Sequence, residues 1–149
     1  MISFDTYVLI YATAARLDEK ANRARDLLGG RWRAATSVLL LQSLAEFSSV
    51  AIRKAGIPAE DVGRVVRSWC AVLPVQAADE SDFFTALEAV GANRLAFWDA
   101  MLWASAQRAG VRHMLTGDFQ DGFVLQYVTF INPFRREDGQ LVEKLLPQS

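Results

Sequence analysis

The spacing of hydrophobic and polar positions changes several times along the chain, and each change marks an element. Residues 2–4, Ile-Ser-Phe, read as a short buried strand, after which the apolar run turns helical over 8–14. Residues 19–28 alternate at helical spacing and stop at Gly29 and Gly30, which predicts an amphipathic helix ended by glycine. A short segment at 34–36 follows. Ser37 is a residue type that caps helices, and the pattern predicts a long helix from there through Lys54, closed by Gly56. Pro58 stands where a first-turn proline belongs, ahead of another helix running to about Trp69. Residues 71–75 are apolar and predict a strand. Two further helices are expected at 82–92 and 97–109, the second ended by Gly110; residues 111–115 then form a strand broken by Gly117, and 128–131 form the last one.

Strands separated by helices pair in parallel through right-handed crossovers. The predicted fold class is therefore α/β, a three-layer α/β/α sandwich around a small central parallel sheet. In such sheets ligands collect at the carboxyl ends of the strands.

No repeat, low-complexity tract or linker divides the chain, and 149 residues with 52% hydrophobic content suffice for one soluble core without disulfides. Cys70 is the only cysteine and His113 the only histidine. Zinc sites of four cysteines, or of two cysteines and two histidines, are thereby excluded, and a Ser-His-Asp triad has only His113 to use. Metal chemistry has to run on carboxylates. No stretch approaches a bilayer-spanning length, and the N-terminal apolar run carries Asp5 without a basic region before it. A membrane partner is not expected, and the expected location is cytoplasmic. The net charge of −1 hides an asymmetry, with 10 basic against 7 acidic groups in residues 1–75 and 6 against 10 in residues 76–149. That balance neither demands nor excludes a polyanionic partner.

Carboxylates in apolar surroundings carry the chemical information. Asp5 ends a buried strand and precedes an apolar helix, where an unpaired ionised group costs several kcal/mol. Two readings stay open there, a functional acid or an N-cap of the following helix. Asp99 has only Ala96, Leu102 and Trp103 as its neighbours on one helix face, so its charge needs a non-local partner or the favourable first turn of a helix. Asp118 follows the strand and Gly117, and Asp121 lies three residues on; turn chemistry alone also explains an Asp beside Gly. Glu46 sits in a polar stripe with Gln42, Ser43, Ser49 and Arg53, a pattern usual for a solvated helix face. Several acids at one sheet edge repel one another, and no lysine occurs between Lys54 and Lys144 to relieve them. A hard divalent cation does so, and it supports hydrolysis of phosphodiesters.

Asp5-Thr6, Leu44-Ala-Glu46-Phe47, Phe97-Trp-Asp99-Ala100, Thr116-Gly-Asp118-Phe-Gln-Asp121-Gly122 and Asn132-Pro-Phe134 occur in an order and spacing that resemble the PIN domain. Within it they are similar to VapC-type toxins of bacterial toxin–antitoxin pairs. The resemblance spans residues 1–134, taken as the nuclease domain, with 135–149 as a C-terminal extension packing on it. It implies an α/β/α sandwich and a Mg²⁺- or Mn²⁺-dependent endoribonuclease in which a metal-activated water hydrolyses RNA phosphodiesters, leaving a 5′-phosphate and a 3′-hydroxyl. It also implies a homodimer and inhibition by a VapB-like antitoxin whose C-terminal segment lies in the active-site groove. Carried over, Asp5, Glu46, Asp99 and Asp118 match the catalytic acids, with Asp5, Asp99 and Asp118 holding the metal. Thr6, Thr116 and Asp121 are auxiliary.

The chain departs from that pattern at three positions. Tyr7 replaces the asparagine of the usual Asp-Thr-Asn, Ala96 stands where a Ser or Thr commonly caps the Phe-Trp-Asp helix, and Gly117 stands where Glu is common. Tyr7 motivates the alternative of a catalytically weak or inactive PIN-like binding module. A haloacid-dehalogenase phosphatase is disfavoured because position 7 is not Asp. A phospho-receiver is disfavoured because no lysine follows a late strand before Lys144. The basic run at 16–33 offers Arg31, Trp32 and Arg33 as RNA contacts, against the ordinary reading of a solvated face. Trp69, Trp98 and Trp103 read as core residues, His113 as a structural one. Residues 141–146 predict a short helix, suited to dimer or antitoxin packing.

Overall fold

The strands that build the central sheet are two to four residues long, and most of their side chains are buried, as expected where helices cover both faces of a sheet. The computed structural model describes residues 1–15, 18–29, 36–92, 94–117, 123–135 and 142–145. In chain order the elements are β1 (Ile2–Phe4), α1 (Thr6–Thr13), α2 (Glu19–Gly29), β2 (Leu39–Leu40), α3 (Leu41–Arg53), α4 (Ala59–Cys70), β3 (Val75–Gln76), α5 (Glu80–Gly91), α6 (Phe97–Arg108), β4 (His113–Leu115), β5 (Val124–Leu125) and β6 (Val128–Ile131). Residues 142–145 add a single helical turn.

The main sheet runs β1-β4-β6-β5. Phe4 lies beside Leu115, and Leu115 beside Ile131, both in parallel register. A second parallel pair, β2 with β3, adjoins β1 through one bridge between Ile2 and Ser37. Successive strand residues feed opposite cores. Leu39, Leu115 and Ile131 pack with Val8, Leu9, Leu44 and Phe47 on the α1–α4 side. Leu40, Met114 and Phe130 pack with Ala86, Ala100 and Trp103 on the α5–α6 side. This is the expected three-layer α/β/α sandwich.

Four local expectations are corrected. The sheet is mostly parallel rather than wholly so, because β5 pairs antiparallel with β6. The two-residue link Gln126-Tyr127, with Gln126 at φ 50, is too short for the crossover that parallel pairing requires. Ser37 does not cap α3. It is fully buried in the bridge to Ile2, and the helix starts four residues later, at Leu41, with no side-chain cap. Residues 71–73 finish α4 in a turn, so the strand there shrinks to Val75–Gln76. Finally, α5 begins two residues early, because Asp79 and Asp82 close a reciprocal capping box.

Chain direction places the site. Asp5 N–H donates to Leu115 O (2.9 Å) and Thr116 N–H to Ile131 O (2.9 Å), extending both strand pairings by one residue. Asp5 and Thr116 thus stand side by side just past the carboxyl ends of β1 and β4.

Candidate active site

The two readings of Asp5 coincide. It is the N-cap of α1, with Oδ1 accepting from the N–H groups of Tyr7 (2.9 Å) and Val8 (3.3 Å), while its Oδ2 accepts from the Thr116 hydroxyl. Asp5 is 6% exposed and Thr116 1%. A nearly buried carboxylate is tolerated because several donors converge on it, and those donors also fix its orientation.

Glu46 lies in the second turn of α3, on the exposed side of the helix. Its Oε2 accepts from Thr6 Oγ1 (3.1 Å), which is also 3.4 Å from Ser43 O, and its Oε1 accepts from Gln42 Nε2 (2.8 Å). Gln42 Nε2 additionally reaches the carbonyl of Trp98 (2.9 Å), the residue before Asp99. One amide therefore ties α3 to the start of α6. Asp99 itself is exposed in the first turn of α6, where the helix dipole favours a negative charge. The N-cap Ala96 has extended backbone and contributes no side-chain hydrogen bond, the consequence of lacking a hydroxyl at that position.

Asp5, Glu46 and Asp99 come from three elements and line one cavity of about 460 Å³, together with Thr6, Tyr7, Arg53 and Lys54. Thr116 joins the set through Asp5. Tyr7 is 43% exposed at the wall. A Cβ on Gly117 would stand 3.4 Å from the Tyr7 Cβ and 3.6 Å from the Phe134 ring, ordinary van der Waals contact, so the wall is close-packed there. Asp118, Asp121, Arg31, Trp32 and Arg33 lie outside the described residues.

The donors are all oxygen, which suits Mg²⁺ or Mn²⁺. Among the described residues no three ligand-type side chains are grouped tightly enough to hold an ion by themselves. Sequence reasoning also missed part of this cavity. Arg53 and Lys54 line it, although the polar stripe of α3 read as a solvated face, and Ser43 in that stripe is 1% exposed. The available signal was the spacing of Gln42, Glu46, Ser49 and Arg53, which puts all four on one side of the helix. Of the three tryptophans read as core, Trp103 is buried with Nε1 donating to Leu125 O (3.1 Å), and Trp69 is half-buried against Phe47. Trp98 is 64% exposed, because it follows Phe97 at the start of α6 and lies off the face that packs on the sheet.

A mostly parallel α/β/α sandwich with an acid-lined cavity at the carboxyl ends of its strands is the class that fold and site define. The PIN domain family matches residues 2–120, and the chain belongs to it. Among solved structures it is similar to VapC20 of Mycobacterium tuberculosis, described as a sarcin-ricin loop cleaving toxin, at 20% identity and a TM-score of 0.64 over 79% of this chain and 92% of that one. A toxin–antitoxin complex from Klebsiella pneumoniae matches at 18% identity and a TM-score of 0.66, covering 91% of this chain and 99% of that one. FitAcB from Neisseria gonorrhoeae matches with the same identity, coverage and TM-score. No curated protein matches the chain in sequence. Among the described residues no helix is long and apolar enough to cross a membrane.

Proposed function

We propose that the protein is a VapC-type toxin, an endoribonuclease dependent on Mg²⁺ or Mn²⁺. The observation that carries this reading is the convergence of Asp5, Glu46 and Asp99 on one cavity at the carboxyl ends of β1 and β4. Membership of the PIN family and the likeness to toxins of known structure support it. Asp5 and Asp99, with Asp118 two residues after Thr116, would hold the ion, which when bound would supply a more acidic water and stabilise charge on the phosphate under attack. Glu46, held by Thr6 and Gln42, orients the attacking water and accepts its proton. Thr116 positions Asp5. Asp121, Arg31, Trp32 and Arg33 are assigned to the substrate path on the sequence alone. Residues 135–149 are assigned as an extension of the nuclease domain, consistent with Val142 packing in the core and with Arg23 meeting Glu143 at 2.8 Å.

A VapB-like antitoxin as inhibitory partner follows from the same reading, as does a homodimer in the cytoplasm. Support for self-association is an aromatic surface at the start of α5 and α6, where exposed Phe83, Phe84 and Trp98 are linked through half-buried Phe97 in a chain of edge-on ring contacts. Light scattering tests it, with Phe84→Glu expected to give monomers.

The second reading, a PIN-like module that binds without cutting, is favoured by Tyr7, a bulky phenol in the cavity wall. Cleavage of an end-labelled structured RNA in Mg²⁺, Mn²⁺ or EDTA separates the two. Metal-dependent cutting that Asp5→Asn and Asp99→Asn abolish supports the nuclease. Folded wild type that cuts no better than either variant, across several RNAs, supports the binding module.

A further inference from the structure

We infer that Arg53 and Lys54 form a second, cationic subsite of the same cavity, which binds an RNA phosphate further along the strand from the one cleaved. The choice of RNA as ligand rests on the nuclease reading above. The cavity is divided by charge. Asp5, Glu46 and Asp99 supply its acids, while the C-terminal end of α3 supplies two cations. Among the described residues neither Arg53 nor Lys54 forms an ion pair, so both charges stay open to a ligand. Arg53 Nε donates to Ser49 Oγ (3.0 Å), which steadies the side chain and leaves both terminal guanidinium nitrogens available to another acceptor. A planar fork with two free nitrogens matches the oxygens of a phosphate.

The spacing separates this subsite from the scissile phosphate. Seven residues separate Glu46 from Arg53, about 10 Å along a helix axis. The cations therefore meet the backbone away from the acids, at a neighbouring phosphate and not at the one cleaved. At the scissile phosphate itself they would compete with the metal for the same oxygens; at a neighbouring phosphate they anchor the strand. The ordinary alternative is that two basic residues in a last turn merely complement the helix dipole. That role needs no cavity and no nucleic acid, so the two separate by experiment.

The test is fluorescence anisotropy of a 5′-labelled, 12-nucleotide single-stranded RNA of mixed sequence, titrated in EDTA at several salt concentrations. The proteins are wild type, Arg53→Ala/Lys54→Ala and the conservative Arg53→Lys/Lys54→Arg. Loss of two phosphate contacts on a single strand lowers the slope of log K against log salt by about 1.4 and weakens low-salt binding about ten-fold. The conservative variant keeps the slope. In Mg²⁺, the alanine variant shows a raised KM with kcat retained, because contacts remote from the reacting bond bind substrate and transition state alike. An alanine variant with the wild-type slope overturns the inference, whatever its melting temperature, and so does wild type that fails to bind the probe. Since binding is read without metal, slope-dependent binding by a protein that cuts no RNA leaves the subsite standing and sinks the nuclease reading instead.

Discussion

Replacing Thr116 by valine tests the geometry of the site most directly. The substitution keeps the shape of the side chain and deletes one hydroxyl, in a place where Thr116 is 1% and Asp5 6% exposed. In the native protein Asp5 receives the Tyr7 and Val8 N–H groups on Oδ1 and the Thr116 hydroxyl on Oδ2. A hydrogen bond to a charged group contributes about 1.5–3 kcal/mol, and deleting a buried hydroxyl recovers part of that through its own desolvation, so a net loss of about 1–2 kcal/mol follows. For a domain of this size each kcal/mol moves Tm by about 2–4 °C, which places the variant roughly 2–8 °C below wild type.

Thermal and urea unfolding measure that loss, and a double-mutant cycle with Asp5→Asn isolates the pair. Coupling of about 1 kcal/mol or more is expected, since the two groups share one hydrogen bond. Thr116→Ser restores the donor and should lie close to wild type in stability and in RNA cleavage, whereas Thr116→Val loses both. Additive losses in the cycle would refute the assignment, as would a serine variant as damaged as the valine one, because then the methyl group rather than the hydroxyl matters.

The other predictions concern parts of the scaffold that hold the site in place. Arg108 makes bidentate contact with Asp82, which is 2% exposed, and donates to Ala77 O, so Arg108→Met leaves a buried carboxylate held only by the Asp79 N–H. Because the arginine is one-third exposed and the Asp79 N–H remains, the loss is smaller than for a fully buried pair, and urea unfolding should show a lowered midpoint. Ala96→Ser supplies the absent cap of α6 and should raise stability by about 1 kcal/mol without changing the fold. Burial, the nearby amino terminus and Arg112 lower the pKa of His113 below its usual 6.5, so the folded protein binds its proton less readily than the unfolded chain. Stability from His113 is accordingly complete above pH 6.5 and falls as pH drops from there toward the folded value; His113→Gln should flatten the urea midpoint between pH 7.5 and 5.5. The Ser81 hydroxyl and the Asp82 N–H, with Arg108, lower the pKa of Asp79 below 3.8. Its contribution persists above that pH and is lost as pH falls through the folded value, a further acid transition that Asp79→Ala should remove.

The alternation of buried strands with helices was readable because both faces of a covered parallel sheet demand apolar residues, and β1 and β6 match their expected spans residue for residue. What escaped was decided by pairing rather than by pattern. β2, β3 and β5 have two residues each, too few for any period to register, and exist because a neighbouring strand offers its edge. Ser37 carried a cap signal that a single bridge to Ile2 overrode.

The acids show the same division between local and long-range causes. Asp5 stood out because a carboxylate among buried residues conflicts with its surroundings. Its capping role explains how that conflict is tolerated without diminishing the site, for the N–H groups that relieve the charge also aim it. Glu46 conflicts with nothing nearby. It is an exposed acid on a polar helix face, and it acquires meaning only when Thr6 from α1, and Gln42 bridging to Trp98 on α6, bring it to the cavity. Arg53 and Lys54 follow Glu46 on that face and inherit its ambiguity. Composition cannot distinguish a solvated stripe from a cavity wall, because both satisfy charge equally well. The difference lies in what packs beside them: the starts of α1 and α6, remote from α3 in sequence, enclose this stripe and turn it into a wall.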